Sequence, residues 1–305
     1  MATAHSPLRY PGGKQVLSRV LGHLIALNRR GGGIYAEPYA GGAGAALALL
    51  FAGHVDELML NDADVRIYAF WKSILNETEG FLRLLRNTPL TVEEWRRQRR
   101  IYTRSPKYSK LKVGFATFYL NRCNRSGIIA NGGLIGGLRQ TGKWKLDARF
   151  NRVELAARVE RIARYRHRIR ITRFDAITFL KRLAEHPTMA DRGFVYLDPP
   201  YFEKGSQLYL NHYDPADHEA LASHLSSGVP FKWVMSYDNV APIKKLYKRG
   251  FSQVTFNLGY SAKKFRIGSE LLIHDNTLRF PTAWRRIIPD VYISAADHRG
   301  IALPS

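Results

Sequence analysis

The chain has 305 residues, 45% of them hydrophobic and 24% charged, which places it among globular proteins and excludes a disordered, fibrous or membrane-embedded chain. Its longest apolar stretch, Tyr39 to Gly53, spans 15 residues interrupted by four glycines, too short to cross a bilayer. Forty-seven Lys+Arg against 25 Asp+Glu leave a net charge of +22, the composition of a protein with a polyanionic partner.

From the N-terminus, residues 15–29 carry apolar side chains at helical spacing, and Gly31-Gly32-Gly33 closes that helix. Ile34 to Pro38 reads as a buried strand running into a glycine loop, Ala40 to Gly44, followed by a helix over 45–52. A second short strand over 57–60 ends at Asn61-Asp62. Strand, glycine loop, helix and a strand with an acid at its end make a nucleotide-type βαβ unit.

One helix is expected over 66–86, an arginine-rich one over 92–102 and an apolar, aromatic one over 112–122. The glycine-rich stretch 127–142 reads as loop. Further on, a helix is expected over 153–164, a strand over 169–173, a helix over 176–184 and a wholly apolar strand over 194–197 ending at Asp198. Helix 216–227, strand 231–236, helix 241–249 and a strand-rich stretch over 252–275 complete the alternation. The last 25 residues show no period.

Charge is not spread evenly. Residues 91–170 hold 21 Lys+Arg against 5 acids, so about a quarter of the chain carries most of the excess. The two chemically suggestive turns, at Gly41 and Asp198, lie 157 residues apart, more than adjacent strands of a doubly wound sheet need. The surplus coincides with the basic, glycine-rich block. The expected architecture is therefore an α/β Rossmann-like catalytic domain in two pieces, 1–74 and 171–280. A mainly helical, loop-rich recognition domain is inserted at 75–170, and a tail follows at 281–305.

Asp198-Pro199-Pro200-Tyr201 carries the strongest chemical signal. A given tetrapeptide of residues near 5% usage arises by chance in roughly 2 of 1000 chains of this length, and this one stands at a strand end, where α/β sheets bind ligands. An exocyclic aromatic amine is a poor nucleophile because its lone pair is delocalised into the ring. The Asp198 carboxylate and the Pro199 carbonyl offer two acceptors for its two hydrogens, the prolines fix the turn, and Tyr201 offers a face for an extruded base.

The glycine loop alone is less specific. Gly42-Ala43-Gly44-Ala45-Ala46-Leu47 has leucine at the sixth position of the dinucleotide fingerprint, which disfavours NAD and FAD. A glycine loop followed 18 residues after Gly44 by Asp62 still suits an adenosine-containing ligand whose ribose hydroxyls the acid accepts. Cys123 lacks the context of a catalytic nucleophile and reads as a small buried residue. As the only cysteine it rules out a disulfide framework, and His218-Glu219 with His224 does not form a His-Glu-x-x-His zinc pattern, so no metal is expected. A first segment without an apolar run, and one cysteine, point to a cytoplasmic protein.

In order along the chain, Arg9-Tyr10-Pro11-Gly12-Gly13-Lys14, Glu37-Pro38-Tyr39-Ala40-Gly41-Gly42-Ala43-Gly44, Asn61-Asp62, Phe174-Asp175, Asp198 to Tyr201, Asp217-His218, Ser236-Tyr237-Asp238 and Arg266 with Glu270 to Ile273 resemble the α-group (Dam-like) DNA adenine methyltransferases. The resemblance implies that Tyr10, Lys14, Glu37, Pro38, Gly41, Gly42, Gly44, Asp62, Asp175 and Asp198 hold or adjoin S-adenosylmethionine. It also implies that Asp198, Pro199 and Tyr201 serve transfer to the N6 amine of an adenine flipped out of duplex DNA, in line and without a covalent intermediate, by a monomer. Asn121, Arg122, Arg125, Arg139, Lys143 and Lys145 are then the expected DNA contacts. Arg125-Ser126 stand where that family carries a Tyr-Asn pair, and Ala130 stands near the place of an arginine. The resemblance therefore does not extend to the residues that read GATC. Two rivals share most of these features: an RNA adenine methyltransferase, and a DNA-binding relative without catalysis. Methyl incorporation into DNA against RNA separates the first, and cofactor binding the second.

Overall fold

The computed structural model describes residues 4–9, 17–202, 213–261, 265–281 and 292–293. Strands β1 (Ile34–Glu37), β2 (Glu57–Asn61), β3 (Ile169–Thr172), β4 (Gly193–Leu197), β5 (Lys232–Asp238), β6 (Phe251–Ser261), β7 (Phe265–Asp275) and β8 (Tyr292–Ile293) form one sheet in the order β3-β2-β1-β4-β5-β7-β6-β8. The first five in that order are parallel, while β7, β6 and β8 each pair antiparallel with the strand before them. Every residue of β1 and β4 is buried, as central parallel strands covered on both faces must be. This is why β4 reads as a continuous apolar run and β1 as one up to Glu37.

Strand order determines where the ligand edge lies. From β1 the chain moves outward to β2 and β3, then returns to β4 on the other side of β1 and continues to β5. The order reverses between β1 and β4, which pair in register from Ile34 opposite Gly193 to Ala36 opposite Val195. Crevices at such switch points, beyond the carboxyl ends of the strands, bind the ligands of open α/β sheets. Here the edge is flanked by Glu37-Pro38 and Asp198-Pro199, so the two turns that are 157 residues apart in sequence meet in space.

Alternate residues of each strand serve different cores. Tyr35 joins the apolar cluster on one face and Ala36 the cluster on the other. Helices α1 (Ser18–Leu27) and α2 (Gly44–Phe51) cover the first face together with α3 (Val65–Asn76), α4 (Thr78–Asn87), α5 (Val92–Thr103), α6 (Lys110–Cys123) and α7 (Arg152–Arg164). The second face is covered by α8 (Ala176–Ala184), α9 (Met189–Arg192), α10 (Pro215–Ser226) and α11 (Ala241–Leu246). The apolar residues of the 75–170 block belong to the same cluster as α1 and α2, so this block and the sheet share one continuous core.

Helix starts follow their caps. Asp64, Thr91, Ser109, Asn151, Asp175 and Asp214 each accept a backbone N–H from the first turn of the helix they precede. The single helix expected over 66–86 is two. Glu77 leaves helical geometry at φ −126°, ψ 37°, ending α3, and Thr78 begins α4 with its hydroxyl donating to the Ile74 carbonyl. The expected helix over 241–249 stops at Leu246, ahead of Gly250 at φ +83°. The expected strand-rich stretch over 252–275 is the β6–β7 pair.

Candidate active site

The glycine loop owes its shape to two departures into left-handed backbone, Gly41 and Ala43, both at φ 45°. Gly41 adopts this without the Cβ penalty that Ala43 bears. The loop is tied down from two sides. The Trp71 indole donates to the Gly41 carbonyl at 2.9 Å, and the Gly41 N–H donates to Asp62 Oδ2 at 2.9 Å. Pro38 and Gly42 are buried and Gly44 is half-buried, opening α2.

Asn61 joins three strand ends. Its buried amide donates to the carbonyls of Pro38 and Phe174, and its carbonyl oxygen accepts the Phe174 N–H and the Thr172 hydroxyl. The loops after β1, β2 and β3 are therefore held at fixed separations beside Asp62. The Asp62 carboxylate is half-buried at this edge, and each of its oxygens accepts one backbone N–H, from Gly41 and from Asp64. A carboxylate offers about four acceptor positions, so two donors from a vicinal diol fit the remaining capacity. Burial, reinforced by the nearby Asp64 charge, pushes the Asp62 carboxyl up to about 7. Asp175 is placed differently. It is exposed and caps α8 through the Thr178 N–H, contacts that hold its carboxyl below the usual range.

On the other side of the switch point, Asp198 follows β4 and is oriented from β5. The Ser236 hydroxyl donates to Asp198 Oδ1 at 2.9 Å, and that hydroxyl is itself within 2.7 Å of the Tyr196 phenol. One residue pair further on, Asp238 Oδ1 accepts the Phe202 N–H, and Tyr201 donates its phenolic hydrogen to Glu270 on β7 at 2.6 Å. Burial and the charges of Asp198 and Glu270 hold the Tyr201 hydroxyl protonated, well above its usual range. The Asp198–Phe202 turn is thus pinned at its start, middle and end by Ser236, Glu270 and Asp238. The sequence places these three in matching segments but assigns them no role; their signal is that each is a polar residue inside or at the end of an apolar strand.

Glu37 lies between the two halves. It is buried at the end of β1, accepts the Tyr35 hydroxyl at 2.9 Å, and lies close enough to Asp198 for that charge to act on it. Burial, with a further push from Asp198, raises its carboxyl to about 8, so it is largely protonated at neutral pH.

The expected DNA contacts fall into two groups. Arg125, Arg139, Lys143 and Lys145 are exposed. Asn121 and Arg122 are turned inward from the end of α6. The Asn121 amide accepts the Arg9 N–H and donates to the carbonyls of Arg9 and Gly127, while Arg122 donates to the Pro7 carbonyl. They fasten residues 4–9 to the helical block. Gly127, at φ +74°, has no Cβ where one would lie 2.4 Å from the Arg9 carbonyl oxygen. Tyr10, Lys14 and the side chain of Arg266 lie outside the described residues. Cys123 is buried, and that burial pushes its thiol up to about 12. Among the described residues no group of three or more His, Cys, Asp or Glu is placed to hold a metal ion, and no helix is long and apolar enough to cross a membrane.

A Rossmann-like sheet with a half-buried acid beside a glycine loop, and an oriented Asp-Pro-Pro-Tyr turn across the switch point, suits a nucleoside-cofactor-dependent group transferase. The D12 class N6 adenine-specific DNA methyltransferase family matches residues 10–262, and the chain belongs to that family. It is an S-adenosylmethionine-dependent adenine methyltransferase. Comparison with curated proteins finds no match. Among solved structures it is similar to a candidate RNA methyltransferase from Pyrococcus horikoshii (10% identity, 88% of this chain and 85% of the other, TM-score 0.39). It is also similar to an S-adenosylmethionine-dependent methyltransferase from Agrobacterium tumefaciens (9%, 84% and 62%, TM-score 0.35) and an rRNA methyltransferase from Streptomyces viridochromogenes (13%, 85% and 84%, TM-score 0.31). The chain spans less than two thirds of the Agrobacterium protein. Likenesses this distant carry no argument about the substrate.

Proposed function

We propose that the protein methylates the exocyclic N6 amine of adenine in duplex DNA, acting on a base extruded from the helix. The observation that carries this reading is the orientation of Asp198 by Ser236 at the edge of the sheet that Asp62 and the glycine loop also face. S-adenosylmethionine, when bound, supplies the electrophilic methyl group. Asp62 would hold its ribose hydroxyls, the loop from Pro38 to Gly44 would lie along it, and the resemblance of the N-terminal motif supports Tyr10 and Lys14 as further contacts.

The chain's own part is to hold the amine and raise its nucleophilicity. Asp198 accepts one amine hydrogen and the Pro199 carbonyl the other, which draws the nitrogen away from conjugation with the ring. Ser236 limits rotation of the Asp198 carboxylate so that this acceptor is set before the base arrives, a preorganisation that avoids reordering during the reaction. The prolines keep the carbonyl of residue 199 fixed relative to that carboxylate. Tyr201, anchored through its hydroxyl to Glu270, presents its ring as a fixed face for the base. The exposed cations Arg125, Arg139, Lys143 and Lys145 supply contacts to the DNA backbone or bases. The test is competition. Unmethylated duplex DNA and structured RNA are offered together with labelled cofactor, and incorporation into DNA is expected to dominate. Incorporation into RNA alone would replace this reading.

A further inference from the structure

A cavity of about 630 Å³ separates the N-terminal segment 4–9 from α7 and reaches the glycine loop at Gly42 and Gly44. Four arginines line it: Arg9, Arg122, Arg149 and Arg158. Among the described residues one carboxylate, Glu154, shares the lining, and it is already engaged by Arg158. The four guanidiniums act on one another. Burial and the charges of Arg158 and Arg9 push Arg122 down to about 9, and burial with Arg149 lowers Arg9. Such a cluster is unfavourable unless an anion joins it.

Three features say what that anion is. Arg122 already donates to the Pro7 carbonyl and Arg158 to the Ser6 carbonyl and Glu154, yet Arg158 keeps a buried Nε without a hydrogen-bond partner, an unmet donor beside the cavity. The first turn of α2, beginning at Gly44, holds no acid of its own, and Glu37, raised and largely protonated, takes the one N–H of Ala46, so the positive end of that helix still adjoins the cavity at Gly44. Arg149 is exposed at the cavity and follows three other exposed cations, Arg139, Lys143 and Lys145, in the same segment of chain.

We propose that this cavity is a phosphate clamp that takes one backbone phosphate of the DNA, seated next to the loop that carries the cofactor. This rests on the duplex-DNA reading above. It ties the register of the DNA backbone to the cofactor loop, through residues with no part in the transfer itself.

Arg149 makes no hydrogen bond or ion pair among the described residues, so R149Q should leave the fold intact. The experiment measures duplex oligonucleotide binding between 50 and 200 mM NaCl for wild type, R149Q and R149K, with cofactor affinity followed separately by calorimetry. R149Q should weaken duplex binding several-fold regardless of sequence and reduce the slope of log K against log salt by about 0.9, the loss of one phosphate. R149K should restore the slope, and cofactor affinity should not move. An unchanged slope in R149Q, beside normal duplex binding by wild type, overturns the clamp and leaves the functional reading standing. Weaker cofactor binding with unaltered duplex binding assigns the cavity to the cofactor's carboxylate and also overturns it. Binding of inorganic phosphate that R149Q abolishes without altering duplex affinity marks a free-phosphate site, with the same consequence. Wild type that binds structured RNA and no duplex defeats the clamp and the functional reading together.

Discussion

Ser236 and Asp198 stand at the carboxyl ends of neighbouring parallel strands, and the serine hydroxyl reaches the aspartate Oδ1 at 2.9 Å while Tyr196 supports it from behind. The Asp198 carboxylate is thereby held by a strand adjacent to its own, and the proposed function makes it an acceptor for the target amine. Ser236→Ala removes a positioning contact and no reacting atom. We expect kcat to fall at least about tenfold, since small misplacements of reacting groups cost up to about 10²-fold, with cofactor affinity unchanged. Steady-state kinetics with parallel calorimetry checks this; a kcat equal to wild type would show that Asp198 needs no such orientation.

If Asp62 holds the cofactor ribose as proposed, cofactor binding should depend on pH. Its carboxyl is raised to about 7 by burial, and hydroxyl donors favour the carboxylate over the acid. As pH falls through about 7 the group takes up a proton that binding must displace, so affinity should weaken toward about tenfold per pH unit on the acid side. Asp62→Asn should bind weakly and without this slope. Calorimetric titrations from pH 8 to pH 6 supply the comparison.

Glu37 links folding to pH in the opposite sense from an ordinary paired carboxylate. Its group titrates near 4.5 when free and near 8 in the fold. Between those values the folded chain holds a proton that the unfolded chain has released, so stability falls as pH rises across that window. Glu37→Gln should flatten the decline. Denaturant melts at several pH values test it, and parallel curves for the two proteins would contradict the assignment.

Cys123 should be inert in the native protein, because its thiol is buried and pushed up to about 12 and the thiolate is the reactive form. A thiol reagent should label it only on unfolding. Rapid stoichiometric labelling of the native chain would contradict its placement at the end of α6.

Much of this site is legible in the sequence because its parts sit at strand ends. Asp198 follows an apolar run that only a buried strand explains, and Asp62 follows the next strand after a glycine loop. The excess chain between Gly41 and Asp198 already implies that the two turns belong to one sheet with an insert between them; the reversal of strand order that brings β1 beside β4 is visible only in the structure. Ser236 and Glu270 carry no motif strong enough to reveal that they orient Asp198 and Tyr201; the pairing of β5 with β4 and β7 creates those roles. Asn121 and Arg122 are expected as DNA contacts because they match the family's pattern, whereas here they satisfy the backbone of residues 7–9 and Gly127. The break at Glu77 does have a local signal, the polar run Asn76 to Gly80 that leaves a gap in the apolar spacing, but a single turn of polar residues does not by itself end a helix.

The most direct test of the account is nucleoside mass spectrometry of unmethylated duplex DNA after incubation with the protein and S-adenosylmethionine, run beside Asp198→Ala. The account predicts N6-methyladenine with the wild-type chain and none with the variant, which should still bind DNA. Methylation by Asp198→Ala near the wild-type level, or no methylated adenine from a wild-type chain that binds the cofactor, would contradict it.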